Sequence, residues 1–518
     1  MSGHQGGVLV VDFGAQYCQL IARRVRELGV YSRITTPQRA LAACDEQQPE
    51  AIVLSGGPAS VYEHDAPALD PAILGLGLPM LGICYGLQWL AQQLGGKVEP
   101  AGRTGGEYGR TELEVTATTP LFAGVDKKTV VWMSHGDKVT QLPAGFTVLA
   151  KSEPCPIGAA GDPRRRIYGL QFHPEVQHTA QGQRVLRNFV LEVARCRADW
   201  NPGNILEQKI GEIRQLVGEQ GEVVMGLSGG VDSSVAAVLI HRAIGKRLHC
   251  VFVDNGLLRL DERQQVEHLF RDQEHIDLCV ADARAAFLDA LAGVADPEAK
   301  RKIIGRVFID VFRAQSKRFA HAHFLGQGTL YPDVIESVSA HGGKTAMIKS
   351  HHNVGGLPED LDMRLVEPLR DLFKDEVRAL GRQLGLPSSL VDRQPFPGPG
   401  LAVRCLGPVS EERLVILRRA DAIVREEIEA RGLHQGLWQY FAVLLPVQTV
   451  GVMGDGRTYA NACVLRIVSS QDGMTADWEC LPVEVLRKIS GRICNEVRGI
   501  NRVCLDISSK PPATIEWE

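Results

Sequence analysis

Short apolar runs alternate with longer stretches of helical period through the first 200 residues. Val8-Leu-Val-Val-Asp12 reads as a buried strand. Ala15 to Leu28 reads as a helix that stops at Gly29. Ala51-Ile-Val-Leu54 is a second strand, followed by Ser55-Gly56-Gly57-Pro58. Leu78 to Ile83 is a third, and it runs directly into a helix over Cys84–Leu94. Strand-helix alternation of this kind predicts an α/β layer with a mainly parallel sheet.

The alternation returns after residue 200. Glu222–Leu227 reads as a strand, with a helix from near Val235. Leu248–Val253 and a run from Phe324 to Asp333 read as further strands. Past residue 396 the pattern changes. Strands over Gln448–Val452 and Ala462–Val468 flank a hairpin-like connection, Met453–Arg457. Helical signals cover Glu411–Arg431 and Pro482–Arg498. The expectation is two consecutive open, mainly parallel α/β sheet domains, at 8–200 and 201–395. A smaller α+β domain follows at 396–518. Residues 200–210 read as the first linker, and Phe396-Pro-Gly-Pro-Gly400 as a rigid turn at the second boundary.

Composition narrows the class. A chain of 518 residues is too long for one core and predicts about two to four domains. Apolar residues make up 44% and charged residues 23%, which suits a soluble globular protein. The net charge of −4 gives no sign of a general nucleic-acid surface. No apolar run has membrane-spanning length, and residues 1–7 do not read as a signal peptide. The twelve cysteines are scattered with no Cys-x-x-Cys pair, so free thiols in a reducing cytoplasm are expected.

Ser228-Gly229-Gly230-Val231-Asp232-Ser233-Ser234 falls between a strand and a helix. A Gly-rich turn there aims backbone N–H groups at one point, and the helix N-terminus adds partial positive charge. The result is an anion cradle with hydroxyl donors. It is not a Walker A loop, because Gly-x4-Gly-Lys-Ser/Thr is absent. An ordinary Gly-bearing turn explains a seven-residue match in this context poorly. Asp254 follows Gly230 by 24 residues at a strand end, where either a ribose contact or a plain Asp-Asn-Gly turn fits.

Cys84 lies in Gly82-Ile-Cys-Tyr-Gly86, the nucleophile elbow with sulfur for oxygen. A helix N-terminus favours thiolate. Phe172-His173-Pro-Glu175 supplies a base and a carboxylate to orient it; on an extended segment the two would project to one side. A buried structural cysteine or a satisfied core histidine is the commoner fate of either residue alone. The elbow and the His-Pro-Glu run together reverse that.

Gly-Ile-Cys-Tyr-Gly-Leu-Gln and Phe-His-Pro-Glu resemble the class I glutamine amidotransferases over about the first 195 residues. That resemblance implies attack by Cys84 on the glutamine amide, proton transfer by His173 and orientation by Glu175. It implies oxyanion donors at the backbone of Gly57 and Tyr85. Gln88 is implied in holding the substrate, and Asp137, in Trp132-Met-Ser-His135-Gly-Asp137, in meeting its α-ammonium. A solvated turn is the alternative for His135 and Asp137. The Ser228–Ser234 loop resembles that of N-type ATP pyrophosphatases. These cleave ATP between the α- and β-phosphates, adenylate an oxygen, and let nitrogen displace AMP. The resemblance implies an ATP site at Ser228, Gly229, Gly230, Val231, Asp232, Ser233, Ser234 and Val253.

Lys349-Ser-His351-His352-Asn-Val-Gly-Gly356 suggests a mobile or substrate-binding loop rather than a metal site, since two adjacent histidines have no nearby Cys partner. Lys374 and Asp375 open a helix whose charges suit a solvated face. The chain closes with Lys510-Pro-Pro-Ala-Thr514-Ile-Glu516-Trp-Glu518. With the order of its three segments, it resembles the glutamine-hydrolysing GMP synthetases along nearly its whole length. What that family implies is amination of XMP with glutamine nitrogen and Mg²⁺-ATP, giving GMP, glutamate, AMP and pyrophosphate. It implies a lid at Lys374 and Asp375, and XMP contacts at Lys510, Thr514, Glu516, Arg306 and Arg466. It also implies a homodimer through the carboxyl domain. The Mg²⁺ ligands stay unassigned. NAD and asparagine synthetases share the ATP loop but use other nucleophile contexts. A tRNA-thiolating enzyme would bring a basic face and paired cysteines. A nucleotide sensor would not keep Cys84, His173, Glu175 and the full loop. Two segments depart from the family: Ala15 stands where Ser is commoner, and Cys155–Arg166 reads as a surface hairpin with three arginines of no evident role.

Overall fold

A computed structural model of the chain describes residues 4–100, 106–319, 321–340, 363–453, 456–470, 473 and 475–518, without the side chains of 336–340 and 453. The Lys349–Gly356 loop lies outside the described residues, as do residues 454 and 455 of the 453–457 connection. The chain forms two compact units, Met1–Ile205 and Leu206–Glu518.

The first unit contains strands β1 (Val8–Val11), β2 (Ser32–Thr35), β3 (Ala51–Leu54), β4 (Met80–Ile83), β5 (Lys97–Pro100), β6 (Glu107–Val115), β7 (Lys128–His135), β8 (Asp137–Gln141), β9 (Thr147–Lys151), β10 (Ala159–Asp162) and β11 (Ile167–Leu170). Nine of them form one sheet in the order β2-β1-β3-β4-β11-β10-β9-β6-β7. The half from β2 to β11 is parallel, and the half from β11 to β7 is antiparallel. β1, β3 and β4 are buried along their whole length. Burial on both faces is why they read as unbroken apolar runs.

The first helix spans Cys18–Glu27, three residues later than the period suggested. The Asp12 carboxylate accepts from the N–H groups of Gly14 (2.9 Å) and Ala15 (3.0 Å) and holds that stretch in a turn. The expected surface hairpin at 155–166 is a correction. β10 is buried inside the sheet, paired to both β9 and β11. Pro156 is exposed, and so is the turn at 163–166. There Asp162 accepts from Arg164 N (3.0 Å), Arg165 N (3.3 Å) and Arg165 Nε (2.8 Å), so one of the three arginines pins the turn by its side chain.

In the second unit, β12 (Glu222–Leu227), β13 (Leu248–Asp254), β14 (Asp277–Asp282), β15 (Ala322–Gly326) and β16 (Arg364–Val366) form a parallel sheet in the order β14-β13-β12-β15-β16. Strand order reverses direction at β12, so a ligand crevice belongs at the C-terminal ends of β12 and β15. A second sheet holds β17 (Gln439–Met453), β18 (Gly456–Ser469), β19 (Asp477–Trp478) and β20 (Ile500–Asp506). The helices Glu411–Glu429 and Val483–Glu496 bury Leu417, Val424, Ile489 and Ile493 in a core that also takes in Val224 and Val251 of the parallel sheet. The Phe396–Gly400 turn is packed into this unit. Leu401 N donates to Leu257 O (2.8 Å), and a Cβ at Gly400 would stand 2.4 Å from that oxygen.

Candidate functional site

Cys84 links β4 to the helix Tyr85–Gln93 with φ 50° and ψ −104°, a conformation costly for any residue with a Cβ. The surroundings enforce it. A Cβ at Gly82 would lie 2.5 Å from the carbonyl group of Gly86, and one at Gly86 would lie 2.5 Å from Leu54 O. Backbone bonds from Cys84 N to Leu170 O (2.7 Å) and from Gly86 N to Ser55 O (3.0 Å) hold both sides of the turn. The thiol is 6% exposed, and Sγ lies 3.6 Å from Ser134 O.

His173 and Glu175 follow β11 in a bend, not on a strand. The expected extended geometry is thus corrected, yet His173 Nδ1 lies 2.7 Å from Glu175 Oε1. Glu175 is 1% exposed. Hydrogen bonds hold the bend: His173 N donates to Trp132 O (3.0 Å), and the Thr179 hydroxyl to His173 O (2.6 Å). Burial pulls the imidazole down. The Glu175 charge and hydrogen bonds to Cys84 and Glu175 outweigh it, with the Cys84 charge adding, and push His173 up to about 10. Gly56 makes room for this ring; a Cβ there would stand 3.1 Å from His173 Cε1.

Gly57 packs beside Tyr85, where a Cβ would meet the Tyr85 ring at 3.4 Å. Tyr85 is the first residue of its helix, so its N–H is among those with no intrahelical acceptor. Gln88 donates from Nε2 to Asp137 O (3.0 Å), and Asp137 Oδ1 accepts from Tyr62 OH (2.9 Å). Gln88 and Asp137 are thus joined directly, one helical turn from Cys84. Tyr62 had no local signal in the sequence.

In the second unit the Gly-rich turn leaves β12 with Gly229 at φ 74°. The helix begins at Val231 with Gly230 as its cap, four residues earlier than expected. Asp232, Ser233 and Ser234 thus sit in its first turn, and Ser234 N donates to Gly230 O (3.1 Å). Ser228 Oγ and Ser233 Oγ lie 2.9 Å apart. Ser234 is buried and returns its hydroxyl to Gly230 O (2.8 Å), which braces the helix start. Gly328, beyond β15, approaches so closely that a Cβ would lie 3.1 Å from the Asp232 backbone. Lys374 Nζ reaches Asp232 Oδ1 (2.7 Å), joining the expected lid to the loop, and Asp375 is its neighbour. Arg393, missed in the sequence, donates to Gly229 O (3.0 Å) and pairs with Glu262. Val253 is buried at the end of β13. Asp254 accepts from Gly256 N (3.1 Å) and Arg263 (3.2 Å), as a turn residue does.

Lys510, Thr514 and Glu516 lie on one tail segment. Lys510 Nζ donates to Gly473 O (2.7 Å), and the Thr514 hydroxyl donates to Glu516 O. The Glu516 carboxylate accepts from fully buried Arg404, by Nε (3.0 Å) and a terminal nitrogen (2.7 Å). Arg466, also fully buried, donates to Ser508 O (2.6 Å) and Thr514 O (3.1 Å) and so fixes the tail's path. Arg306 is exposed on the helix Pro297–Ser316 and shares no hydrogen bond or ion pair with Lys510, Thr514 or Glu516 among the described residues. Glu107, His135 and Cys155 form the one group among the described residues whose ligand atoms are spaced for a metal, all within 4.8 Å of one another. Its N, O and S donors do not suit Mg²⁺, which takes oxygen. No described helix is long and apolar enough to cross a membrane.

Three family profiles match in order along the chain. Glutamine amidotransferase class-I covers residues 9–193, NAD synthase 205–280, and GMP synthase C terminal domain 426–517. The chain is 55% identical over 511 residues to the GMP synthase [glutamine-hydrolyzing] of Brachyspira hyodysenteriae, covering 99% of each. It is 56% identical over 517 residues to that of Solidesulfovibrio magneticus, again covering 99% of each. A solved glutamine amidotransferase from Thermotoga maritima is 22% identical, with TM-score 0.31, covering 37% of this chain and 98% of that one. Full-length likeness at this level, over a chain that carries the Cys84 elbow and the Ser228–Ser234 turn in that order, places it in the family of glutamine-hydrolysing GMP synthases.

Proposed function

We propose that the first unit hydrolyses glutamine at Cys84 and that the second spends ATP to activate XMP for the ammonia released. The reaction of the family is XMP, ATP, glutamine and water to GMP, AMP, pyrophosphate and glutamate. The observation that carries the residue assignment is the enforced turn at Cys84 beside the His173–Glu175 pair. The thiolate attacks the amide carbon. The Gly57 and Tyr85 N–H groups receive the oxyanion, worth about 3–4 kcal/mol for one such donor. His173, held as a cation beside Glu175, gives its proton to the departing ammonia. Water then attacks the thioester, His173 takes a proton from it, and glutamate leaves. Gln88 and Asp137 hold the amino-acid end of the substrate.

In the second unit, Ser228 to Ser234 and Val253 take ATP. Lys374 is assigned to the phosphates, and Asp232 and Asp375 to the accompanying Mg²⁺. Mg²⁺ would neutralise phosphate charge as the α–β bond breaks. The support is the pairing of Lys374 with Asp232, which brings a cation beside the Ser228–Ser234 loop. The xanthine 2-oxygen is adenylated and ammonia displaces AMP. Lys510, Thr514 and Glu516 are assigned to the XMP side, with Glu516 acting through Arg404, and exposed Arg306 to the XMP phosphate. The three-part division at 200 and 395 follows these tasks.

We assign a homodimer through the carboxyl segment, supported by exposed Val447, Val450, Val452 and Tyr459 on β17 and β18. Such a row on a monomer would be an uncovered apolar patch. Cytoplasmic residence fits twelve free cysteines. Glutamine hydrolysis is expected to stay low until XMP and ATP fill the second site. Equal hydrolysis with and without both nucleotides would refute that coupling. The assignment as a whole is tested by GMP formation from XMP and Mg²⁺-ATP with glutamine or with an ammonium salt. Cys84→Ala should lose the first reaction and keep the second. Loss of neither, or of both, overturns it.

A further inference from the structure

His135 takes no part in the chemistry above, yet it is 4% exposed and lies in the same turn as Ser134 and Asp137. Its Nδ1 lies 3.0 Å from Asp137 O. A carbonyl only accepts, so Nδ1 carries the hydrogen. The same carbonyl receives the Gln88 amide (3.0 Å), and the neighbouring Ser134 O meets Cys84 Sγ (3.6 Å). The turn 134–137 therefore touches the nucleophile, Gln88 and the expected ammonium contact at once.

On its far side, among the described residues, the ring faces the carboxylate of Glu107 and the thiol of Cys155. Nε2 lies 3.5 Å from Glu107 Oε2, in a contact too long to count as a hydrogen bond. Glu107 is itself 7% exposed and anchored by Ser152 Oγ (3.1 and 3.2 Å), which accepts in turn from Cys155 N (3.2 Å). With Nδ1 committed to a carbonyl, a neutral ring aims its Nε2 lone pair at the carboxylate. The approach becomes attractive when one proton is shared across the gap, on either partner. Burial pulls the His135 imidazole below its ordinary value, and the Glu107 charge opposes that.

We infer that Glu107 and His135 are positioning residues for glutamine hydrolysis, a buried carboxylate–imidazole pair that fixes the Ser134–Asp137 turn and hence the substrate end of the pocket. The inference rests on the assignment of Cys84 as nucleophile. It predicts a change in glutamine binding with the chemical step spared, because neither residue meets the reacting atoms.

The test compares Glu107→Ala, His135→Leu and Glu107→Gln in glutamine-dependent GMP formation by the full chain. Alkylation of Cys84 by iodoacetamide reports an intact elbow in each variant. Glu107→Ala and His135→Leu should raise KM for glutamine about tenfold, the size of one lost buried hydrogen bond, with kcat within about twofold. Glu107→Gln should return KM close to the wild-type value, because its amide N–H meets Nε2 without a titrating proton. Unchanged KM in Glu107→Ala overturns the inference, and so does a Glu107→Gln variant as impaired as Glu107→Ala. Should His135→Leu fail to fold, the Glu107 pair alone decides. A Cys84→Ala control that kept glutamine-dependent activity would instead overturn the assignment beneath it.

Discussion

The Cys84 elbow and the Ser228–Ser234 loop are both strand-to-helix turns rich in glycine, and they are built in opposite ways. At the elbow, glycine is required by backbone: Cβ atoms at positions 82 and 86 would fall 2.5 Å from main-chain atoms. The conformation is locked by packing before any substrate arrives. At the Ser228–Ser234 loop, a Cβ at Gly230 would meet nothing nearer than Ser228 Oγ at 3.4 Å, and Gly229 is held to glycine by its φ of 74° rather than by a close main-chain neighbour. That loop is held by exposed hydroxyls and by Lys374 and Arg393 reaching in from later in the chain. A covalent nucleophile needs its geometry fixed in advance. An anion cradle needs open N–H groups and can let a polar ligand complete it.

Variants can break this contrast, beginning with the largest effect. Cys84→Ala should lower glutamine-dependent GMP formation by about 10⁴-fold or more while ammonium-dependent formation persists. Steady-state assays with both nitrogen sources read this directly. Lys374→Ala should cost on the order of 10²-fold with either source, because both routes pass through ATP. Gly86→Ala should destabilise the first unit by about 1–3 kcal/mol, measured by urea unfolding, whereas Gly230→Ala should cost much less. At the small end, Ser234→Ala should lower stability by about 1 kcal/mol in urea unfolding, since its hydroxyl braces the helix start.

The pH profile sharpens the same contrast. His173 is raised above its ordinary value of 6.5 to about 10. Its contribution to stability is therefore complete below about pH 6.5 and is lost as pH rises through about 10. The imidazolium follows the same course, so glutamine hydrolysis should fall on the alkaline side. Glu175→Gln removes the chief raising influence and should move that fall to lower pH. A pH series of glutaminase rates checks both.

Elements set by local pattern were legible in the sequence. The apolar runs of β1, β3, β4 and β12 and the glycines around Cys84 carry their own signal, since largely buried parallel strands and tight turns leave one. The start of the helix at Val231 was hidden because Asp, Ser and Ser read equally well as turn residues. Burial of the 159–170 hairpin was hidden because small residues such as Ala159, Ala160 and Gly161 resemble a loop until their neighbours cover them. The bonds between Arg404 and Glu516 span 112 residues, and no local spacing encodes such a pair. Glu107 and His135 met for the same reason only in the folded sheet, across paired strands β6 and β7.

The central claim is that one chain carries two separately built sites, one producing ammonia and one consuming it. The most direct measurement assays Cys84→Ala and Lys374→Ala side by side, each with glutamine and with ammonium, for GMP formed from XMP and Mg²⁺-ATP. The account predicts that Cys84→Ala loses only the glutamine reaction and that Lys374→Ala loses both in equal proportion. Loss of the ammonium reaction in Cys84→Ala, or a Lys374→Ala variant impaired with glutamine alone, would contradict it.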